Sequence, residues 1–175
     1  PKNDRHVFLS ELELAELLEA VPARYEVERK VVLLAMLTGM RRGELMALEP
    51  NNVYNGRIVL KPHQTKNGRP RVIPLSEEAI PLLSSLPFET TGDRVRGAFE
   101  RAREAIGRPD LRFHDLRHCY ASLLVSKGES LPTIRDLLGH SSLTVTNRYA
   151  HADPTRWDSV VARLPRIGNQ MATKH

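Results

Sequence analysis

Cysteine is nearly absent. A lone Cys119 excludes an internal disulfide and a zinc site built on cysteine, and it fits a reducing cytoplasm. Long hydrophobic runs are missing too. The longest apolar stretch, Val31–Leu37, falls far short of the ~20 residues a membrane-spanning helix needs. No repeat, low-complexity tract or secretory signal is visible. Lysine is scarce, with 6 Lys against 20 Arg. The planar Arg fork grips phosphate oxygens at two points, whereas Lys is a point charge. A GC-rich genome also enriches Arg and accounts for much of this bias. The net charge of +5 is by itself a weak pointer to nucleic acid. What is present is ordinary for a globular protein: 175 residues, 41% hydrophobic and 27% charged, enough for one domain with a sizeable core.

The chain opens on Pro1, and residues 1–8 read as a linker, so an upstream domain is expected before it. Ser10 and Glu13 match a capping box, which predicts a helix over Glu11–Ala20 ended by Pro22. A second helix over Tyr25–Thr38 is almost wholly apolar from Val31 onward, hence buried, and Gly39 stops it. A short helix over Arg42–Leu48 follows. Val53-Tyr54, Arg57–Lys61 and Arg71–Leu75 read as strands. Asn55-Gly56 and Asn67-Gly68 between them are hairpin-turn signals. The remainder predicts helices over Glu77–Leu86, Gly92–Ile106, His114–Lys127, Pro132–Leu138, Leu143–Tyr149 and Thr155–Leu164. Leu116, Tyr120, Leu123 and Leu124 share an inward face of their helix. The expected fold is mainly α with a small three-stranded antiparallel sheet (α+β).

Four segments carry candidate chemistry. In Thr38-Gly39-Met40-Arg41-Arg42-Gly43-Glu44-Leu45, Arg41 stands at a helix start, where free N–H groups favour anions. Alone, it reads more readily as a surface Arg paired with Glu44. In Gln64–Arg71, Lys66 precedes a turn and could swing into a cleft to donate a proton, although a solvated Lys near a turn is much commoner. In His114-Asp115-Leu116-Arg117-His118, His114 and Arg117 lie on one helical face at i and i+3, and His118 is one turn on. A metal reading of this cluster is opposed by Arg117 among the ligands and by the lack of further acidic or Cys residues nearby. In Leu137–Tyr149, a helix ends at Gly139, His140 opens a polar loop, and a short helix delivers Tyr149. A lone Tyr near a chain end is usually a half-buried aromatic. Taken together, two Arg, two His, a Lys and a Tyr are what metal-free phosphoryl transfer requires. The Arg pair neutralises a five-coordinate phosphate, and a phenol with pKa near ~10 needs activation to attack it.

In order and spacing the segments resemble the tyrosine recombinase family, also called phage integrases, over about residues 9–155. The shared pattern is Thr-Gly-x-Arg-x-x-Glu-Leu, a hairpin Lys, His-x-x-Arg, Leu-Gly-His, and a Tyr nine residues after that His. The resemblance implies a catalytic domain that breaks and rejoins DNA through a 3′-phosphotyrosyl link, integrating or excising a phage or other mobile element. It implies that Arg41 and Arg117 clamp the scissile phosphate and that Lys66 protonates the departing 5′ oxygen. His114 assists proton transfer at the nucleophile, His140 bonds a non-bridging oxygen, Glu44 orients its neighbours, and Tyr149 attacks. No metal, ATP or other cofactor is implied. The partner is double-stranded DNA at specific sites, bound by a homotetramer that is weakly associated or monomeric without DNA, with no membrane involved. Residues 156–175 resemble a tail that docks on a neighbouring subunit. Cys119 and Tyr120 stand where the family often has Thr and Phe, and both read as packing residues. Two relatives in chemistry, a type IB topoisomerase and a chromosome-dimer resolvase, remain alternatives, as does a helical DNA-binding regulator without chemistry.

Overall fold

A computed structural model describes residues 7–139 and 155–168. The helix expected over Leu143–Tyr149, and His140 before it, lie outside the described residues. Six helices precede that gap: α1 (Glu11–Glu19), α2 (Glu26–Thr38), α3 (Arg42–Met46), α4 (Gly92–Ala105), α5 (Asp115–Ser126) and α6 (Leu131–Leu138). One follows it, α7 (Thr155–Val161). Strands β1 (Val53–Tyr54), β2 (Arg57–Leu60) and β3 (Arg71–Pro74) form one antiparallel sheet in the order β1-β2-β3. The mainly α fold with a small sheet is as the sequence predicts. No helix among the described residues is long and apolar enough to cross a membrane.

The centre of the core is α2. Val31, Val32, Leu34, Ala35, Met36 and Leu37 are each at most 1% exposed, so this helix is buried on every side from its second turn. It packs against α1, α4 and α5. Each such Leu or Val contributes about 1.5–3 kcal/mol by leaving water. Against it, α5 turns the predicted face of Leu116, Tyr120, Leu123 and Leu124, all buried. α1 begins as its capping box dictates, with the Ser10 hydroxyl accepting from the Glu13 amide and the Glu13 carboxylate accepting from the Ser10 amide.

Gly39 ends α2 in the left-handed region at φ +66°. A Cβ there would stand 2.6 Å from Tyr120 Cδ1 and 2.8 Å from Leu138 Cδ2. Gly39→Ala should therefore destabilise the chain by roughly 2–4 kcal/mol, from backbone strain plus overpacking. A urea melt with a lowered midpoint and unchanged slope checks this; an unchanged midpoint would refute the tight approach.

Two elements differ from expectation. The segment expected as a helix over Glu77–Leu86 is a 3-10 helix, Ile80–Ser85, because Pro81 near its start and Pro87 beyond its end leave room only for short i→i+3 turns. Asn55-Gly56 makes the expected two-residue hairpin turn, with both residues at positive φ and Tyr54 paired to Arg57. Asn67-Gly68 does not. β2 and β3 are joined by residues 61–70, where Thr65 Oγ1 and Asn67 Oδ1 accept the Arg69 amide at 3.0 and 3.1 Å, so side chains and not strand pairing close the turn. After the gap in the described residues, α7 packs against β3. Asp158 is ion-paired with Arg57, Val160 and Val161 are buried, and the Glu78 carboxylate accepts the Ile167 and Gly168 amides at 2.9 and 2.6 Å.

Candidate active site

The end of α2 sets the first wall of the site. Thr38 Oγ1 donates back to the Leu34 carbonyl at 2.6 Å and accepts the Met40 amide at 3.3 Å, so the chain reverses tightly through Gly39. Arg41 then precedes α3. The sequence suggests a helix start with free amides, but the Arg41 amide donates to Glu44 Oε2 at 3.0 Å, and Arg41 Nη1 donates to Oε1 at 3.2 Å. The Arg41 amide is thus already used, and the cationic side chain is what remains to meet an anion. Glu44 is only 4% exposed. A buried carboxylate needs such partners, since an unpaired one would be strongly destabilising.

The second wall is the start of α5. Asp115 Oδ2 accepts the Arg112 amide at 2.7 Å, which fixes the entry of the chain, and His114 occupies the N-cap position. One turn on, Arg117 is 3% exposed. Its Nη1 donates to the Gly39 carbonyl at 2.8 Å and its Nη2 to the Leu138 carbonyl. Both acceptors close the C-terminal ends of helices, where partial negative charge favours a cation. Burial, with Arg41 and Arg71 nearby, pushes the Arg117 guanidinium down to about 9, which leaves it charged at neutral pH. The His114 imidazole is pushed below its usual 6.5 by burial and by the facing His118, Arg117 and Arg41, with Asp115 opposing. The two His rings meet edge to face at 5.3 Å between centroids.

These walls enclose a cavity of about 250 Å³ lined by Met40, Arg41, Arg42, Phe113, His114 and Arg117. Arg41, His114 and Arg117, which are 73 or more residues apart from the first to the others, thus open into one space, with Glu44 behind them. Such a pocket suits an anion held by two guanidinium groups beside a neutral imidazole. Lys66 is not in the lining. It is exposed on the 61–70 connection, whose neighbouring Asn67 Nδ2 donates to the Gly139 carbonyl at 3.3 Å. His140 and Tyr149 lie outside the described residues. Tyr120 is no rival nucleophile: it is 1% exposed, and burial pushes its hydroxyl well above the usual phenol value.

The sequence profile described as "Phage integrase family" matches residues 7–90 and 89–156. The chain belongs to this family. Among its relatives, the integrase of Escherichia phage P2 is 29% identical over 178 residues, covering 94% of this chain and 49% of that protein. The catalytic domain of bacteriophage HP1 integrase superposes with a TM-score of 0.63 at 27% identity, covering 91% of this chain and 95% of that one. The integrase from mycobacterium phage Brujita has the same fold, with a TM-score of 0.74 at 22% identity over 94% of this chain and 61% of that one. The chain spans about half the length of the curated relatives it matches, 49% for each of the first two.

In this phage integrase family member, two supports of the site escape the motif pattern. Arg71 bonds Glu44 through both Nη atoms. Its signal is a charged residue on the same strand face as the buried Ile73. Asn52 and Gln64 form a reciprocal amide pair, Nδ2 to Oε1 at 2.7 Å and Nε2 to Oδ1 at 3.1 Å. This pair pins the base of the connection that carries Lys66. Neither amide has a periodic or spacing signature that would single it out.

Proposed function

We propose that this chain is the strand-cutting domain of a site-specific DNA recombinase of a phage or other mobile element. It breaks and rejoins double-stranded DNA through a 3′-phosphotyrosyl intermediate. The observation that carries this is the convergence of Arg41, His114 and Arg117 on one cavity with Glu44 behind them. Tyr149 attacks the scissile phosphate, and its proton passes toward His114. Arg41 and Arg117 hold the non-bridging oxygens, with His140 as a further donor. Lys66 protonates the leaving 5′ oxygen, and the phosphotyrosyl bond keeps the phosphodiester's energy for the reverse step, in which a partner strand's 5′ hydroxyl attacks. The working unit is a tetramer on two DNA sites, cytoplasmic in a bacterial host. There the tail after residue 155 docks on a neighbour, in exchange for the seat α7 holds on its own chain. A nicked suicide duplex carrying the attachment core tests the proposal: a covalent protein–DNA adduct is expected, and its absence at saturating DNA would sink it.

The His114 environment adds a pH dependence. A proton acceptor must be neutral, and the folded chain favours the neutral ring. As pH falls, single-turnover cleavage should therefore hold through 6.5 and decline only at lower pH. An acid limb centred at or above 6.5, the ordinary histidine value, would remove His114 from proton transfer. The same result would follow from a limb that is unchanged in His114→Gln.

A further inference from the structure

Arg71 is a buried cation at the start of β3, 8% exposed. Burial lowers its guanidinium from the usual value, and the Glu44 carboxylate opposes that shift. Its fork spans two parts of the site. Nη1 and Nη2 donate to Glu44 Oε1 and Oε2 at 3.1 and 3.0 Å, and Nη1 also donates to the Leu138 carbonyl at 3.2 Å. Glu44 is the same carboxylate that holds the Arg41 amide and side chain. Leu138 offers the same carbonyl that accepts Arg117 Nη2. Gly139 follows at φ +70°, and a Cβ there would stand 2.8 Å from Arg71 Cδ and 3.0 Å from Nη1. The next residue in the chain is His140.

We propose that Arg71 is a positioning residue for strand cleavage: it ties the Glu44–Arg41 pair to the Leu138–Gly139 end of α6, so that one fork sets both the phosphate clamp and the end of that helix. This rests on the recombinase reading above. A cation that merely neutralised Glu44 could be a lysine. A tie between a carboxylate and a carbonyl from another helix needs the planar, multi-donor guanidinium. The three guanidinium groups of Arg41, Arg71 and Arg117 are linked through one carboxylate and one carbonyl, so a shift of Arg71 reaches both of the others.

The test uses the full chain and Arg71→Lys, which keeps the charge and loses the fork. At saturating suicide duplex, single-turnover cleavage should fall on the order of 100-fold, as for a slightly misplaced clamp. The DNA concentration for half-saturation should move less than about threefold, since ground-state binding is not what the tie supplies. Amide hydrogen exchange should rise together in residues 41–45 and 135–139 and stay unchanged in α4. Cleavage within about twofold of wild type at saturation would overturn the proposal, as would faster exchange in only one of the two segments. If Arg71→Lys does not fold, the uncharged pair Glu44→Gln with Arg71→Met is compared with Glu44→Gln alone: a further loss of cleavage supports the tie, and equal rates overturn it. A wild-type chain that forms no adduct would refute the recombinase reading; the exchange pattern would still decide whether Arg71 joins the two segments.

Discussion

Tyr149→Phe should give no covalent protein–DNA adduct on the nicked suicide duplex, while binding of the intact duplex stays within about twofold, because only the phenol oxygen is removed. On the proposed mechanism the effect is all or none, because the new bond would be made by that oxygen. No other tyrosine is placed to substitute. Tyr120 is enclosed against Gly39 and Leu138 at the inner side of the site, its hydroxyl held protonated by burial. Tyr54 is 69% exposed on the β1–β2 turn. Tyr25 is the subtler rival. A hydrogen bond to Arg24 lowers its hydroxyl pKa, helped by the charges of Arg101 and Arg94 against burial, and all three guanidinium groups lie over its ring. It precedes α2, however, and the cavity begins beyond the other end of that helix. The helix has 13 residues, and at 1.5 Å per residue its ends are roughly 20 Å apart. An adduct that persists in Tyr149→Phe and disappears in Tyr25→Phe would reassign the nucleophile.

The sequence was informative where one residue type settles a local choice. Asn55-Gly56 suits the positive φ values of a two-residue turn, Ser10 with Glu13 closes a capping box, and an apolar run without polar interruption marks α2 as central. The site was legible as a motif because Arg41, Glu44, His114 and Arg117 keep fixed spacings on short helical segments. What stayed hidden depends on contacts between distant residues. The use of the Arg41 amide by Glu44 could not be separated from a free helix start. Arg71 looks in sequence like one more basic residue beside a turn, and its meaning comes from Glu44 and Leu138, 27 and 67 positions away. The seat of α7 rests on an Arg57–Asp158 pair separated by 101 positions. Asn67-Gly68 carried a true turn signal and the wrong turn, because Thr65 offered a local acceptor that competes with strand pairing.

Arg117→Ala should lower cleavage by about 10³-fold or more, the scale of losing a charge-stabilising donor at a reacting oxyanion. It should also destabilise the free chain by roughly 2–4 kcal/mol, because the buried Gly39 carbonyl loses its side-chain donor, the Leu138 carbonyl keeps only Arg71, and a void opens. The two effects have one origin in the structure. Arg117 is nearly inaccessible, and its Nη atoms bolt together the ends of α2 and α6 through Gly39 and Leu138. Yet it lines the cavity beside Arg41 and His114. A residue in both roles cannot be judged by alanine alone, since a collapsed wall would also stop cleavage. Arg117→Lys separates them. The ammonium keeps a charge and can satisfy one carbonyl, so most of the stability should return. The bidentate geometry toward a phosphate is lost, so cleavage at saturating DNA should remain about 10²-fold below wild type. A lysine variant that melts like wild type and cleaves like wild type would leave Arg117 as a structural bolt only, with Arg41 as the remaining clamp. One that recovers stability and stays slow would place the second guanidinium on the reacting phosphate.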